Sequence, residues 1–350
     1  MAVYKIFPSK DATLYSQFPN MNTGLDPILE ASSYLYLGNR YKSRYLIQFS
    51  TTEIQDILNN KVNGSWTTNL KNYNALTSGL SIDTSLYFYT VSGSWGMGTG
   101  HYGDSLQVTN GASWNWRTVS GSDAWTLAGG DVYASPVYSQ SFAYASPLDI
   151  SVDVTNTINT WYSESVPNDG FLVKLTSSVE ESTNTNIQPI FKYFSIDTHT
   201  IYPPYLEFKW SDYTFNTGSS TNTILSTPES FISIYNNTGV YYSESVPRFR
   251  LAAIPKYPDR QFITASYYTE NYYLPESQSL YAIKDSSTNE FVVDFDSNYT
   301  RISADTTSSY FDIYMNGLEP ERYYTVLVKT VVGGVTKVWD ENIMFKVEKG

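Results

Sequence analysis

The sequence contains no cysteine, which excludes a disulfide framework and any thiolate metal site. Histidine is nearly as scarce, with only His101 and His199. No G-x-S-x-G elbow frames a serine beside either one, so histidine-based nucleophilic catalysis finds no support and both are read as structural or solvent-facing. Basic residues are few: 22 Lys and Arg stand against 34 Asp and Glu, a net charge of −12. The phosphate-binding electrostatics of a nucleic-acid protein are therefore missing, and an anionic membrane surface is disfavoured for the same reason. No apolar run approaches the roughly 18 residues of a membrane span, and the opening MAVYKIFPSKDA lacks an apolar signal core. The expectation is a protein made in a cytosol, in which the sequons at Asn63, Asn236 and Asn298 are accidental.

What is present is tyrosine, 32 of 350 residues, with Ser, Thr and Asn filling the polar positions. That is the profile of many short strands joined by polar turns, not of helical bundles. Strand-like segments recur at Tyr34–Leu37, Arg44–Phe49, Ser85–Val91, Phe171–Leu175 and Tyr205–Trp210. In Leu86–Val91 nearly every residue is a β-former, as expected of a strand covered on both faces. Two helices are expected. Ser50-Thr51-Thr52-Glu53 has capping-box spacing ahead of Ile54, Ile57 and Leu58, and Asp153 caps a second helix with Val154, Ile158 and Trp161 on one stripe against a sheet. A break follows Trp210, where the polar run 216–223 begins. Beyond it strands are expected at Phe231–Tyr235, Arg248–Ala253, Phe291–Phe295, Tyr310–Met315, Tyr323–Thr330 and Ile343–Val347. In Gly317-Leu318-Glu319-Pro320-Glu321-Arg322-Tyr323-Tyr324, Leu318 would plug a core, and a tyrosine at the strand start would return its hydroxyl to the loop backbone. That is the tyrosine corner of immunoglobulin-like sandwiches. The fold class expected is all-β: a jelly-roll-like β-sandwich with two short helices over residues 1–210, then an Ig/fibronectin-like β-sandwich over 211–350. The hexapeptide Tyr162–Pro167 recurs identically at Tyr242–Pro247. Nothing around the copies matches, so it reads as a reused turn ahead of a strand.

Several of these segments carry a resemblance. Lys10-Asp11-Ala12-Thr13-Leu14, Asn20-Met21-Asn22-Thr23-Gly24, Arg44–Phe49, Gly111–Arg117, Trp125–Asp131, the helix from Asp153 to Trp161, Asn168-Asp169-Gly170-Phe171 and Pro203–Leu206 follow one another in order. Over roughly residues 8–210 the chain resembles a DNRLRE-type domain, a β-sandwich related to carbohydrate-binding modules. It departs from that pattern at Phe194-Ser195-Ile196-Asp197, where the family usually carries an arginine after the serine, so no role of that arginine transfers. Tyr272–Glu276 and Tyr281–Asp285 resemble structural proteins of tailed phages. The resemblance implies a non-enzymatic virion protein, in the tail, baseplate, neck or capsid decoration. It would be assembled in multiple copies in a bacterial cytoplasm and dock on other virion proteins through tyrosine-rich faces. The alternative is a carbohydrate-binding module that recognises host surface glycans.

Candidate sites are few, and no cofactor is expected. Four of eight tryptophans fall between Trp95 and Trp125 in Gly/Ser/Thr-rich sequence. Either they form a sugar platform, drawing on Trp95, His101, Tyr102, Trp114, Asn115 and Trp116, or Trp114 and Trp116 plug a long loop onto the sandwich while Asn115 points away. The plug is favoured, and the candidate contact surface is Trp95, His101, Tyr102 and Trp116. Gly96-Met97-Gly98-Thr99-Gly100 is not a phosphate loop, because Trp114 and Trp116 arrive where a helix should begin. Asp294, Asp296, Asn298 and Asp305 have the first, third, fifth and twelfth positions of a calcium loop. Tyr299 replaces the required glycine, so this is a weak candidate and no metal is assigned. Asp11 or Asp131 in a metal site is not argued by spacing. Glu164, Glu180 and Glu181 are available for paired-carboxylate chemistry, but nothing in their pattern favours it.

Overall fold

A computed structural model describes residues 2–143, 146–220, 222–257 and 271–350; Thr221, in the polar run, lies outside them. The protein is all-β and divides into two compact units. The larger holds Ile6–Lys61 and Thr67–Glu207. The smaller holds Phe208–Gly350, with the N-terminal stretch through Lys5 and Val62–Trp66.

The first twelve strands are β1 (Ala2–Ile6), β2 (Pro8–Tyr15), β3 (Ile28–Tyr36), β4 (Asn39–Phe49), β5 (Trp66–Asn72), β6 (Asn74–Ser78), β7 (Thr84–Val91), β8 (Val132–Phe142), β9 (Ile150–Asp153), β10 (Phe171–Leu175), β11 (Ile190–Phe194) and β12 (Tyr205–Trp210). One sheet runs β6–β11–β3–β4–β10–β7–β8, with β2 also on β4; the other runs β1–β12–β5–β9. Period-2 alternation orients the large sheet. Tyr45, Ile47 and Phe49 of β4 and Phe171 and Val173 of β10 share a buried face. There Tyr45 meets Tyr193 at 6.2 Å and Phe191 meets Phe142 at 5.2 Å. The opposite face carries Ala12 and Leu14 of β2, Leu46, Leu172 and Val91, which are also buried, in a second apolar cluster. Strand β7 departs from the expectation of cover on both faces. Leu86 and Phe88 are buried, but Tyr87 and Tyr89 are only half-buried and stand side by side at 6.3 Å, because the outer cover reaches only as far as Val91.

Helix α1 (Thr51–Asn60) begins as its capping box requires: Ser50 Oγ accepts the N–H of Glu53 at 3.3 Å, and Ile54 and Ile57 are buried. Helix α2 (Thr155–Tyr162) differs at its start. Its N-cap is Val154, and Asp153 stands one residue earlier at the end of β9, accepting the N–H and hydroxyl of Thr155 at 2.9 and 2.6 Å. Trp161 packs on Phe171 of β10 at 4.8 Å. A third helix, α3 (Ser177–Glu180), is capped by Thr176 and is too short to show a helical period.

The smaller unit has β13 (Ser230–Ile234), β14 (Val240–Tyr242), β15 (Arg248–Pro255), β16 (Ser279–Asp285), β17 (Phe291–Val293), β18 (Ser303–Ala304), β19 (Ser309–Asp312), β20 (Arg322–Val332) and β21 (Val335–Glu348). Its sheets run β13–β15–β19–β18 and β14–β21–β20–β16–β17, with β14 parallel to β21. The two sheets enclose one apolar core, as in a β-sandwich, with residues of β13, β15 and β19 meeting those of β16, β20 and β21. The stack Phe249–Phe311–Tyr281 joins β15 and β19 of one sheet to β16 of the other through this core, at centroid spacings of 5.5 and 4.3 Å. Leu318 is buried in that core, and Tyr324 Oη donates to Glu319 O at 2.9 Å, forming the tyrosine corner. Strand β17 stops at Val293, two residues short of Phe295, and β19 at Asp312, ahead of a 3-10 turn over Met315–Gly317. The two copies of the repeated hexapeptide are both turns but differ in shape: Glu164 has φ 57°, while Glu244 has no positive φ.

Candidate functional site: the tryptophan loop

Residues 92–131 connect β7 to β8 with no helix or strand of their own. A connection this long in a compact unit must be tied down by side chains. Trp95 and Trp125, both buried, join Ala112 and the outer-face residues Ala12, Leu14, Leu46, Val91 and Leu172 in one cluster, with Trp114 packed against it. Each buried indole finds a carbonyl: Trp95 Nε1 donates to Asp169 O at 2.8 Å and Trp125 Nε1 to Ser113 O at 2.9 Å. Lys10 stands 4.4 Å over the Trp95 ring and donates to its carbonyl, and Arg44 lies 5.0 Å from the Trp114 ring. Asp131 closes the far end by accepting from Thr126 N and Leu127 N at 2.8 and 2.9 Å.

The glycines of the loop serve a residue that sequence reasoning passed over. Asn22 is fully buried, donates to Met97 O and Ala112 O at 2.7 and 2.9 Å, and accepts from Gly100 N at 3.0 Å. A Cβ on Gly98 would sit 2.2 Å from Asn22 Oδ1, and one on Gly111 2.4 Å from Asn22 Nδ2. The Gly-x-Gly spacing thus lets two legs of the loop close around one amide. The only sequence signal was Asn22's place in the Asn20–Gly24 segment.

Trp95 is corrected as a contact residue: at 2% exposure, with its ring under Lys10 and its N–H bonded, it presents no face to solvent. Trp116 is half-buried and donates Nε1–H to Asn20 Oδ1 at 2.9 Å, with Asn115 Nδ2 on the same oxygen at 3.3 Å. His101 is exposed, its backbone N–H held by Asp104 at 2.9 Å. Tyr102 is 52% exposed, packs on Tyr15 at 4.9 Å, and is fixed by its N–H to Asp26 Oδ2 at 3.0 Å. Next to them Leu106, which the sequence reading did not single out, is 86% exposed. On this side the outward part of the loop is His101, Tyr102 and Leu106, with Trp116 half-covered, while Val119 and Leu127 are also exposed elsewhere on it.

The remaining candidates are dispersed. His199 is exposed and lies, with His101, within electrostatic reach of Asp197, and among the described residues no serine side chain is bonded to either ring. Glu180 is buried in a bidentate pair with Arg44 at 2.9 and 2.7 Å, Glu181 pairs with Lys42, and Glu164 accepts from Gln55 at 3.3 Å. Each carboxylate faces a donor, none a second carboxylate, so the spacing of a glycosidase pair is not assembled from them. The calcium-loop spacing does not gather either. Asp305 is held by Arg250 at 3.0 and 2.8 Å, which keeps its carboxyl well below the usual range, and Asp296 Oδ1 is turned onto the N–H groups of Asn298 and Tyr299 at 2.7 and 3.2 Å. Among the described residues no three His, Asp or Glu side chains converge as metal ligands, and no helix is long and apolar enough to cross a membrane. No protein-family model matches the chain, and no curated protein matches it.

Proposed function

We propose that the protein is a non-enzymatic structural component of a tailed-phage virion, present in multiple copies and docking on neighbouring virion proteins through tyrosine-bearing surfaces. The observation that carries this reading is the sorting of aromatic side chains. Among the described residues no tryptophan is among the large side chains left exposed, whereas seven tyrosines are, Tyr102, Tyr242, Tyr257 and Tyr323 among them. Tyrosine offers broad contact area, few torsions to immobilise and a hydroxyl for hydrogen bonds, which suits protein docking. A sugar platform instead needs flat rings outside, and here the largest rings hold the loop to its sheet. The resemblance of Tyr272–Glu276 and Tyr281–Asp285 to phage structural proteins supports the same reading. Quantitative mass spectrometry of purified virions should find the chain at a fixed ratio to the major capsid protein; its absence from particles would overturn the proposal.

Glycan recognition is kept as a second reading on one observation: Trp116 is half-exposed with the amides of Asn20 and Asn115 beside it. A glycan array probed with the full chain tests it. Binding abolished by Trp116→Ala or Tyr102→Ala supports this reading, and binding to no glycan removes it.

A further inference from the structure

Asp11 lies in the middle of β2, in register with Ile47 on the inward face of the large sheet. It is fully buried, and a carboxylate there would have lost its water without gaining an ion pair. Its Oδ2 accepts the N–H of Ile196 at 2.8 Å, while Oδ1 has no donor. The residue after Ile196 is Asp197, whose Oδ2 is also enclosed and without a donor. Enclosed acceptors of this kind need a hydrogen or a positive charge from somewhere. We propose that Asp11 and Asp197 share one proton in the native protein, Asp11 Oδ1–H donating to Asp197 Oδ2, and that this bond latches the Ser195–Thr198 turn onto β2 until alkali removes it.

The surrounding groups fix which of the two acids keeps the proton. Burial pushes Asp11 up to about 8, with Asp197 and Asp26 adding repulsion. From β4, Tyr45 faces Asp11 with a hydroxyl that already accepts from Asn72 at 3.2 Å, so it supplies no cation. Burial also raises Asp197, but that residue is more open than Asp11 and has His101 and His199 nearby to oppose the rise; burial raises Asp26 as well, against N–H bonds from Tyr102 and Ile28 and the nearby His101 and Lys192. Asp11 is therefore the acid and Asp197 the acceptor.

The same corner anchors one leg of the tryptophan loop. Ser195 N donates to Pro27 O at 3.0 Å, Leu25 N to Gly100 O at 3.0 Å, and Tyr102 N to Asp26 at 3.0 Å. Removing the proton leaves three carboxylates around this junction and loosens both the turn and the leg that presents His101 and Tyr102. The sign follows from linkage. The ordinary value is 3.8 and the folded value about 8. Between them the folded chain holds a proton that the unfolded chain has released, so this group's contribution to the folding equilibrium falls about tenfold per pH unit as pH rises, and levels off above the folded value.

Asp11→Asn tests the latch in the full chain, because its amide donates to Asp197 while its oxygen accepts from Ile196. We expect the wild-type unfolding midpoint to fall between pH 5 and 8 and that of Asp11→Asn to lose this one-proton slope. At pH 8.5, exchange of peptides spanning residues 195–199 and 100–104 should be at least several-fold faster in wild type than in Asp11→Asn at the same pH. If Asp11→Asn fails to fold, Asp197→Asn supplies a donor to Asp11 from the other side and removes the neighbouring charge, so the slope that burial of Asp11 sustains should end at a lower pH than in wild type. A variant slope equal to wild type would overturn the proposal. So would stabilisation of wild type, but not of Asp11→Asn, by calcium chloride over EDTA, since a cation would then occupy the place given to the proton.

Discussion

Replacing Trp95 by alanine separates a ring that holds the loop from a ring that waits for a ligand. A buried tryptophan truncated to alanine costs about 3–5 kcal/mol through lost transfer energy and the cavity left behind. Here the indole is 2% exposed, bonded to Asp169 O at 2.8 Å and overlain by Lys10 at 4.4 Å. The substitution therefore also leaves a part-buried carbonyl without its donor, which contributes roughly 1 kcal/mol, while relaxation of the loop recovers part of the cavity term. We expect a net loss of about 4 kcal/mol. For a unit of roughly 200 residues that lowers the melting midpoint by about 8–16 °C, read by calorimetry as the transition of the larger unit. Trp116→Ala is the internal contrast. Its ring is half-buried with one exposed hydrogen bond to Asn20, so its loss should be about 1 kcal/mol. Equal, small shifts for the two variants would refute the reasoning, because Trp95 would then not be what fastens residues 92–131 to the sheet.

Tyr324→Phe removes only the hydroxyl that reaches Glu319 O at 2.9 Å, and should lower the smaller unit's midpoint by about 2–4 °C, as the loss of one hydrogen bond implies. Glu180→Gln breaks the bidentate pair with Arg44 and leaves a guanidinium largely enclosed without its counter-charge; a loss of about 3 kcal/mol is expected in denaturant titration of the larger unit. Asp305 is held below its ordinary value of 3.8 chiefly by its bonds to Arg250, so its contribution is complete above that value and fades as pH falls below it. Asp305→Asn should therefore flatten the acid limb of the smaller unit's stability, measured from pH 5 to 2, and an unchanged limb would show that the Arg250 pair does not stabilise this corner.

What was legible in the sequence was whatever lies within a short stretch of it. Arg44–Phe49 is a run of β-formers, so β4 could be read directly, although the run does not show that Leu46 is buried on one face and Tyr45, Ile47 and Phe49 on the other. Ser50 and Glu53 fixed the start of α1 because capping is a contact between residues three apart. The tyrosine corner was legible for the same reason, since Tyr324 and Glu319 are five residues apart. Asp153 failed as a cap by a single position: β9 still holds it, and a strand's end is set by its partner β5, which the local sequence does not contain.

The site was less legible because what decides it is assembled from distant segments. Trp95 sits among Gly and Ser, which locally signals an exposed loop. The surface that buries it is built from Ala12, Leu14, Leu46 and Leu172, none of which shares a sequence window with it. Asn22 gave no pattern at all, since a single buried amide has no period. Yet it accounts for the glycines at 98 and 111, which must lack a Cβ to approach it. Composition marked residues 92–131 as a loop with large rings, but it could not say on which side the rings lie. The sheet settles the side: its outer face is apolar beneath the loop, so burying indoles there gains transfer energy that exposing them would forgo. The loop's outward positions are then left to smaller or less apolar groups, with Tyr102, His101, Leu106, Val119 and Leu127 exposed.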